Sequence, residues 1–351
     1  IKKTIDSIFS QECDYLFEVI VVDGNSIDNT KSILNSYKKN NKRELIILDN
    51  PRMIVPVGFN IGLSQARGEY IIRVDAHSFL EPGFLKNCIN TILKIDADCV
   101  GGSTIHKSAG IIGKSIMICQ TSNFGSGGVS FRKEVPKGKY VNTLAFGAYK
   151  RSVFKSLGGY DEELVRNQDD EFNYRLIQNG GKIWLDPSIK SYYYSRRSIM
   201  AFAKQYFQYG FYKIRVMQKR GGPISIRHLV PLAFLSILFF TTFIFLFYKV
   251  SHPFYIFAFS YLSTSIISSL LQLFTLKHSL ISILLLPITY FIMHFSYGLG
   301  SLLGLFYFMN KWSDKVVKDN SFNIKKNHKN SIILIGNFDG LHLGHQKLFK
   351  L

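Results

Sequence analysis

Two stretches, EVIVVDGNSIDNT (18–30) and NPRMIVPVGFNIGLSQARGEYIIRVDAHSFLEPGFL (50–85), decide how this chain folds. Each contains a short apolar run that ends in an aspartate. EVIVVD (18–23) closes on Asp23, and EYIIRVD (69–75) closes on Asp75. Runs of this length, rich in β-branched residues and bounded by glycine or small polar residues, read as buried strands. ELIILD (44–49) is another. Helical patterns lie between them. Thr30 is placed to cap a helix carrying Ile33, Leu34 and Tyr37. A second helix runs to Ala66, with Gly68 as its stop. Pro82 suits the first position of the next. This alternation over residues 1–197 predicts an α/β domain with a mainly parallel sheet. In open sheets of that kind, ligands bind beyond the carboxyl ends of the strands, where Asp23 and Asp75 fall.

Outward from this core the composition changes. The 351 residues carry a formal net charge of +19, which suits anionic lipid or phosphate-bearing substrates. The basic residues form no single stripe, so nucleic acid is not expected as a partner. Many instead flank long apolar runs, where cations meet lipid headgroups. Cys13, Cys88, Cys99 and Cys119 have neither paired nor metal-like spacing, which fits buried thiols in a reducing compartment. Residues 198–228 mix aromatic and basic side chains, as in a helix lying in a membrane interface. Apolar stretches near 229–248, 254–276 and 279–309 form a transmembrane region, since a span takes roughly 20 residues. The third is long for one span, and SYGLGSLLG (296–304) is expected to bend it into a span plus an interfacial or re-entrant piece. A lysine- and asparagine-rich linker, 311–330, follows.

Three motifs carry chemistry. At Asp23, a carboxylate on a strand end can accept hydrogen bonds from a nucleobase or ribose. In RVDAHS, Asp75 and His77 stand two apart on an extended segment and point the same way. They can meet one divalent cation, Mn or Mg, that neutralises a diphosphate. In NQDDEFNYRL, the acids Asp169, Asp170 and Glu171 open a helix of roughly 169–179 that ends at Gly180-Gly181. The helix dipole stabilises acids there, yet three in a row exceed what a cap needs, and one of them can serve as a general base.

The order and spacing of these motifs resemble a family 2 glycosyltransferase with the GT-A fold, a Rossmann-like mixed sheet with helices on both faces. The likeness is to the membrane-associated subgroup of succinoglycan and exopolysaccharide synthesis. It rests on the stretches above together with GGVSFRK, FGAYKRSVFKSLGGYDEEL, NQDDEFNYRL and RRSIMAFAKQYFQYGFYK. The resemblance implies a metal-dependent hexosyltransferase that acts with inversion. Its donor is expected to be a nucleotide-sugar, a UDP-sugar, and its acceptor a polyprenyl-diphosphate-linked saccharide, alongside membrane lipids. It implies that Asp23 binds the nucleobase, that Arg67 helps hold the nucleotide, and that Asp75 and His77 stand at the metal motif. Asp169 becomes the catalytic base, with Asp170 and Glu171 as alternatives because Gln168 replaces the usual glutamate. QYFQY (205–209) lacks the Arg-Trp pair of processive members, which favours addition of single sugars. The family's first strand has no counterpart, and Ile1 opens within a helix, so a fragment is expected.

A separate signal closes the chain. GNFDGLHLGH (336–345), with His342 and His345 at a glycine turn, resembles the start of a riboflavin kinase/FAD synthetase-type nucleotidyltransferase domain. Residues 331–351 are too few for that domain, and no adenylyl transfer is expected. A nucleotidyltransferase must be cytoplasmic, as must the glycosyltransferase domain, so the chain is expected to cross the cell (inner) membrane an even number of times. Lysines after Asn310 agree. A membrane-anchored nucleotidyltransferase and an inactive sugar-nucleotide-binding scaffold are the competing readings.

Overall fold

The structure is a computed structural model that describes residues 1–351 except 41–43, 224, 276–279, 312–330 and 339–351. The chain divides into two compact units, one built on Ile1–Ile105 and Lys133–Tyr193 with a late strand, the other on His106–Arg132 and Tyr194–Val316.

In chain order the first unit opens with α1 (Lys2–Phe9), β1 (Leu16–Asp23), α2 (Thr30–Asn40) and β2 (Leu45–Asp49). Next come α3 (Val55–Gln65), β3 (Tyr70–Asp75), β4 (Ser78–Leu80), α4 (Phe84–Lys94) and β5 (Cys99–Lys107). Helices α5 (Ile111–Thr121) and α6 (Asn123–Ser126) belong to the second unit. The first resumes with β6 (Lys139–Tyr140), β7 (Ala148–Lys150), α7 (Arg151–Leu157), α8 (Gln168–Gln178) and β8 (Ile183–Tyr194). The second continues as α9 (Ile199–Arg220), α10 (Val230–Tyr248), α11 (His252–Thr275), α12 (Leu280–Leu284) and α13 (Leu286–Tyr307). Strand β9 (Ser331–Phe338) returns to the first unit.

The sheet runs β2-β1-β9-β3-β7-β5-β8-β4, with β6 paired to β8. β2, β1, β9 and β3 are mutually parallel, whereas β7 is antiparallel to both β3 and β5. Val19, Ile20, Val21 and Val22 are all fully buried, because a central strand is covered on both faces and needs no polar alternation. The strands expected at 18–23, 44–49 and 69–75 are β1, β2 and β3. Two start signals resolve differently. The Thr30 amide donates to Asp28 Oδ1 (3.0 Å). Pro82 lies in the turn before α4, where Gly83, at φ +80°, is the N-cap.

Strand β9 has its backbone in the central slot between β1 and β3, with Val22 and Asp75 both opposite Asn337. The stretch read from sequence as the opening of a second domain thus adds a strand to this sheet. Two neighbouring rows of backbone N–H and C=O groups attract a parallel strand because a buried row without partners is costly.

The second unit is helical. Helices α10, α11 and α13 are each long and apolar enough to cross a membrane. Phe240, Phe247, Ile256 and Phe259 are exposed on the first two, a lipid-facing character. The bend expected at 296–304 is not present: α13 is one uninterrupted helix through those residues. Its glycines serve packing instead. A Cβ on Gly300 would lie 2.0 Å from the Phe207 carbonyl oxygen, and one on Gly210 would lie 2.0 Å from that of Tyr297. Small residues at both positions let α9 and α13 approach backbone to backbone. Helix α9 accordingly buries Phe202, Tyr206, Ile214 and Arg215 instead of lying alone on a surface. Arg215 donates to the Lys311 carbonyl (2.8 Å) and Gln218 to that of Phe308 (2.9 Å), which satisfies carbonyls left over at the end of α13. In QYFQY, Gln205 Nε2 donates to Tyr209 Oη (2.9 Å). All four cysteines are free.

Candidate active site

The parallel register puts Asp23, Asp49 and Asp75 at one edge of the sheet, the carboxyl ends of β1, β2 and β3. Asp23 is fully buried. Its Oδ2 accepts from the Ser26 amide (3.0 Å) and lies 3.6 Å from Lys31 Nζ. Its Oδ1 has no donor among the described residues. Asn50, also fully buried, donates its amide to the Asp23 carbonyl (2.7 Å) and its Nδ2 to that of Ile54 (2.9 Å), while its Oδ1 likewise has no donor among the described residues. A buried acceptor without a donor costs roughly 1–3 kcal/mol, so this corner is preset for a ligand or water that donates. Lys31 also reaches Asp49 (3.0 Å).

Asp75 and Asp169 are joined by Arg73. Arg73 Nε and Nη2 fork on Asp75 at 2.7–3.0 Å, and Nη1 lies 3.5 Å from Asp169 Oδ2. The Arg73 side chain is only 12% exposed and Asp75 20%, whereas Asp169 is 38% exposed. Burial pushes the Asp75 carboxyl up, but the charge of Arg73, helped by His77 and Arg166, outweighs it and holds Asp75 below the usual carboxylate range. Burial likewise opposes the charge on Arg73, yet Asp75 and Asp169 raise its pKa well above the ordinary value. His77 is exposed and packs edge-on against Tyr193 with ring centroids 4.9 Å apart.

The helix that carries Asp169 separates its three acids. Asn167, in the left-handed region at φ 62°, is the N-cap of α8. Asp169 Oδ1 accepts the Asp170 amide (2.9 Å), leaving Oδ2 toward Arg73. Glu171 points the other way. It is fully buried and paired to Arg175 (2.9 Å), which also donates to the Leu157 and Gly159 carbonyls. Glu171 is therefore a structural anchor of α8 and does not join the site. Gln168 is buried, with Oε1 lacking a donor among the described residues.

Arg67 is not brought to this edge. Its Nε and Nη2 bind Glu18 Oε2 at 3.0 and 2.7 Å, its amide binds Glu18 Oε1, and Glu44 accepts from Nη2 as well. Glu18 lies near the start of β1, and at 3.3 Å per residue it is about 16 Å along the strand from Asp23. The nucleotide role implied for Arg67 has no support in this arrangement.

Residues 1–158 match the family model described as Glycosyl transferase family 2, and residues 324–351 match FAD synthetase. A Methanococcus voltae protein, dolichyl N-acetyl-alpha-D-glucosaminyl phosphate 3-beta-D-2,3-diacetamido-2,3-dideoxy-beta-D-glucuronosyltransferase, is 34% identical over 247 residues, 68% of this chain and 75% of its own. This chain belongs to glycosyltransferase family 2. Succinoglycan biosynthesis protein ExoA of Rhizobium meliloti is 29% identical to this glycosyltransferase, over 63% of this chain and 67% of its own. The GalNAc(5)-diNAcBac-PP-undecaprenol beta-1,3-glucosyltransferase of Campylobacter jejuni is 27% identical, over 53% and 54%. The glycosyltransferase has the mixed α/β, GT-A-like fold followed by a helical region.

Among the described residues no three His, Cys, Asp or Glu side chains gather into a metal-holding cluster. An ionised Asp75 with His77 two residues on fits the weaker kind of site, in which one carboxylate shares a cation with substrate phosphates. His342 and His345 lie outside the described residues. Arg73 and Asn50 were missed by sequence reasoning. An arginine inside a strand and an asparagine before a proline look ordinary; their chemistry comes from partners 96 residues away for Arg73 and 27 for Asn50.

Proposed function

We propose that this glycosyltransferase is an inverting enzyme that moves a hexosyl unit from a UDP-sugar to a polyprenyl-diphosphate-linked saccharide in exopolysaccharide or cell-surface glycan synthesis. The observation that carries the reading is the linkage of Asp75 to Asp169 through Arg73 at the ligand-binding edge of the sheet. Asp169, partly exposed and positioned by its own helix, takes the proton from an acceptor hydroxyl. Asp23 offers its donor-free oxygen to the nucleobase. Asp75 and His77 hold a divalent cation, Mn or Mg, which when bound supplies Lewis-acid neutralisation of the departing diphosphate. Lipid-linked acceptors in the names of the M. voltae and C. jejuni relatives support the acceptor class. Three apolar helices support a multi-pass chain. Cationic residues near their ends support a catalytic unit on the cytoplasmic side of the cell (inner) membrane.

The test is UDP release from a panel of UDP-sugars by the full chain in membranes with manganese and a lipid-linked acceptor extract. Release that requires Asp75 and Asp169 establishes the reaction and names the donor. Absence of turnover with every donor, while UDP still binds, would replace this reading with a sugar-nucleotide-binding scaffold.

A further inference from the structure

Arg73 is the most buried of the site cations that the proposed chemistry leaves without a task, Lys31 at Asp23 and Asp49 being half exposed. It is nearly buried, it forks on the proposed metal ligand Asp75, and its third nitrogen faces the proposed base Asp169. It also interacts with the buried Tyr160 hydroxyl. A guanidinium needs no such triple engagement to sit in a strand; an aliphatic residue there would bury more cheaply. What the arginine supplies is charge. Two carboxylates that share one guanidinium repel each other less than they would without it.

We infer that Arg73 is the resident counter-ion of the donor site, holding at Asp75 the electrostatic place that a divalent cation would take. This inference rests on the proposed roles of Asp75 and Asp169. A cation that binds Asp75 must compete with the Arg73 fork and repel the guanidinium. Arg73 then keeps Asp169 as its one carboxylate partner, beside Tyr160. It is thus a positioning residue with two opposed effects: it weakens binding of the bare cation, and it holds the Asp169 carboxylate in place for the acceptor. A merely structural arginine has only one effect, since its loss weakens everything the strand supports.

The experiment is Mn²⁺ binding to the full chain in detergent, followed through the electron paramagnetic resonance signal of free Mn²⁺, beside sugar transfer by the same samples. In Arg73→Gln, Mn²⁺ is expected to bind about tenfold more tightly, a typical size for coupling between two sites. Transfer is expected to fall at least about tenfold, the size usual for losing one such positioning contact. Arg73→Lys keeps the charge without the fork, and its Mn²⁺ affinity is expected to fall between the two. Asp75→Asn is expected to remove the binding in either background. If Arg73→Gln and Arg73→Lys stay folded by circular dichroism, and Mn²⁺ binding depends on Asp75 but is unchanged or weaker in both, the counter-ion inference is overturned and the donor-site reading stands. If Mn²⁺ binding is indifferent to Asp75 even with UDP present, both are overturned.

Discussion

At the amino-terminal edge of the parallel strands, Arg67 forks on Glu18 and takes Glu44 as a further partner, while Arg151 donates to the Ala66 and Gly68 carbonyls. At the carboxyl-terminal edge, Asp23 and Asn50 keep buried oxygens without donors among the described residues, and one guanidinium serves both Asp75 and Asp169. The sheet is the same and the residue types are similar, but at one edge the carboxylates are paired and only the buried Arg151 Nε is left over, whereas at the other buried carboxylate and amide oxygens lack donors. Buried polar groups are normally paired, so an edge left short of donors is one that forgoes stability for a ligand. The contrast supports the proposal that Arg67 braces the sheet and that the aspartates carry the chemistry.

The largest expected effect tests the functional edge. Asp169→Asn should reduce transfer by about 10³-fold, within the range for loss of a general base. Binding of UDP, followed by calorimetry, and thermal unfolding should both stay near those of the parent. Transfer at the parent rate would remove Asp169 from the mechanism and leave the two edges alike.

Two residues along, the effect should switch from activity to stability. Glu171→Gln strips the buried Arg175 of its charge partner, and breaking such a pair costs about 3 kcal/mol. Chemical denaturation should show the loss, and the enzyme that remains folded should still transfer sugar. A stable variant without activity would make Glu171 the base and overturn the division within α8.

The smallest effect belongs to the other edge. Arg67→Ala removes hydrogen bonds to charged groups at a partly exposed position, for about 1–2 kcal/mol of stability. The KM for the donor should not move. A donor KM raised tenfold with unfolding unchanged would return Arg67 to the nucleotide site and erase the contrast.

Much of this molecule was legible in one dimension. Strand periods, glycine stops and apolar lengths identify β1, β2, β3, α8 and the first two long apolar helices, because each depends on neighbours within a few residues. The ends of parallel strands share an edge, so Asp23 and Asp75 could be placed together from sequence. The roles of three adjacent acids could not. At about 3.6 residues per helical turn, Asp169 and Glu171 face opposite sides, and only the surrounding packing says which side is core. The glycines of 296–304 read as a bend but act as contact surface, because their partner, α9, is far away in the sequence. The sequence by itself determined most of the elements, the family and the edge proposed for chemistry. Tertiary structure alone decided that Arg67 is a brace, that Glu171 is an anchor and that Arg73 joins two aspartates. Those distinctions rest on which charges meet across space, and charge pairing between distant segments leaves no local pattern.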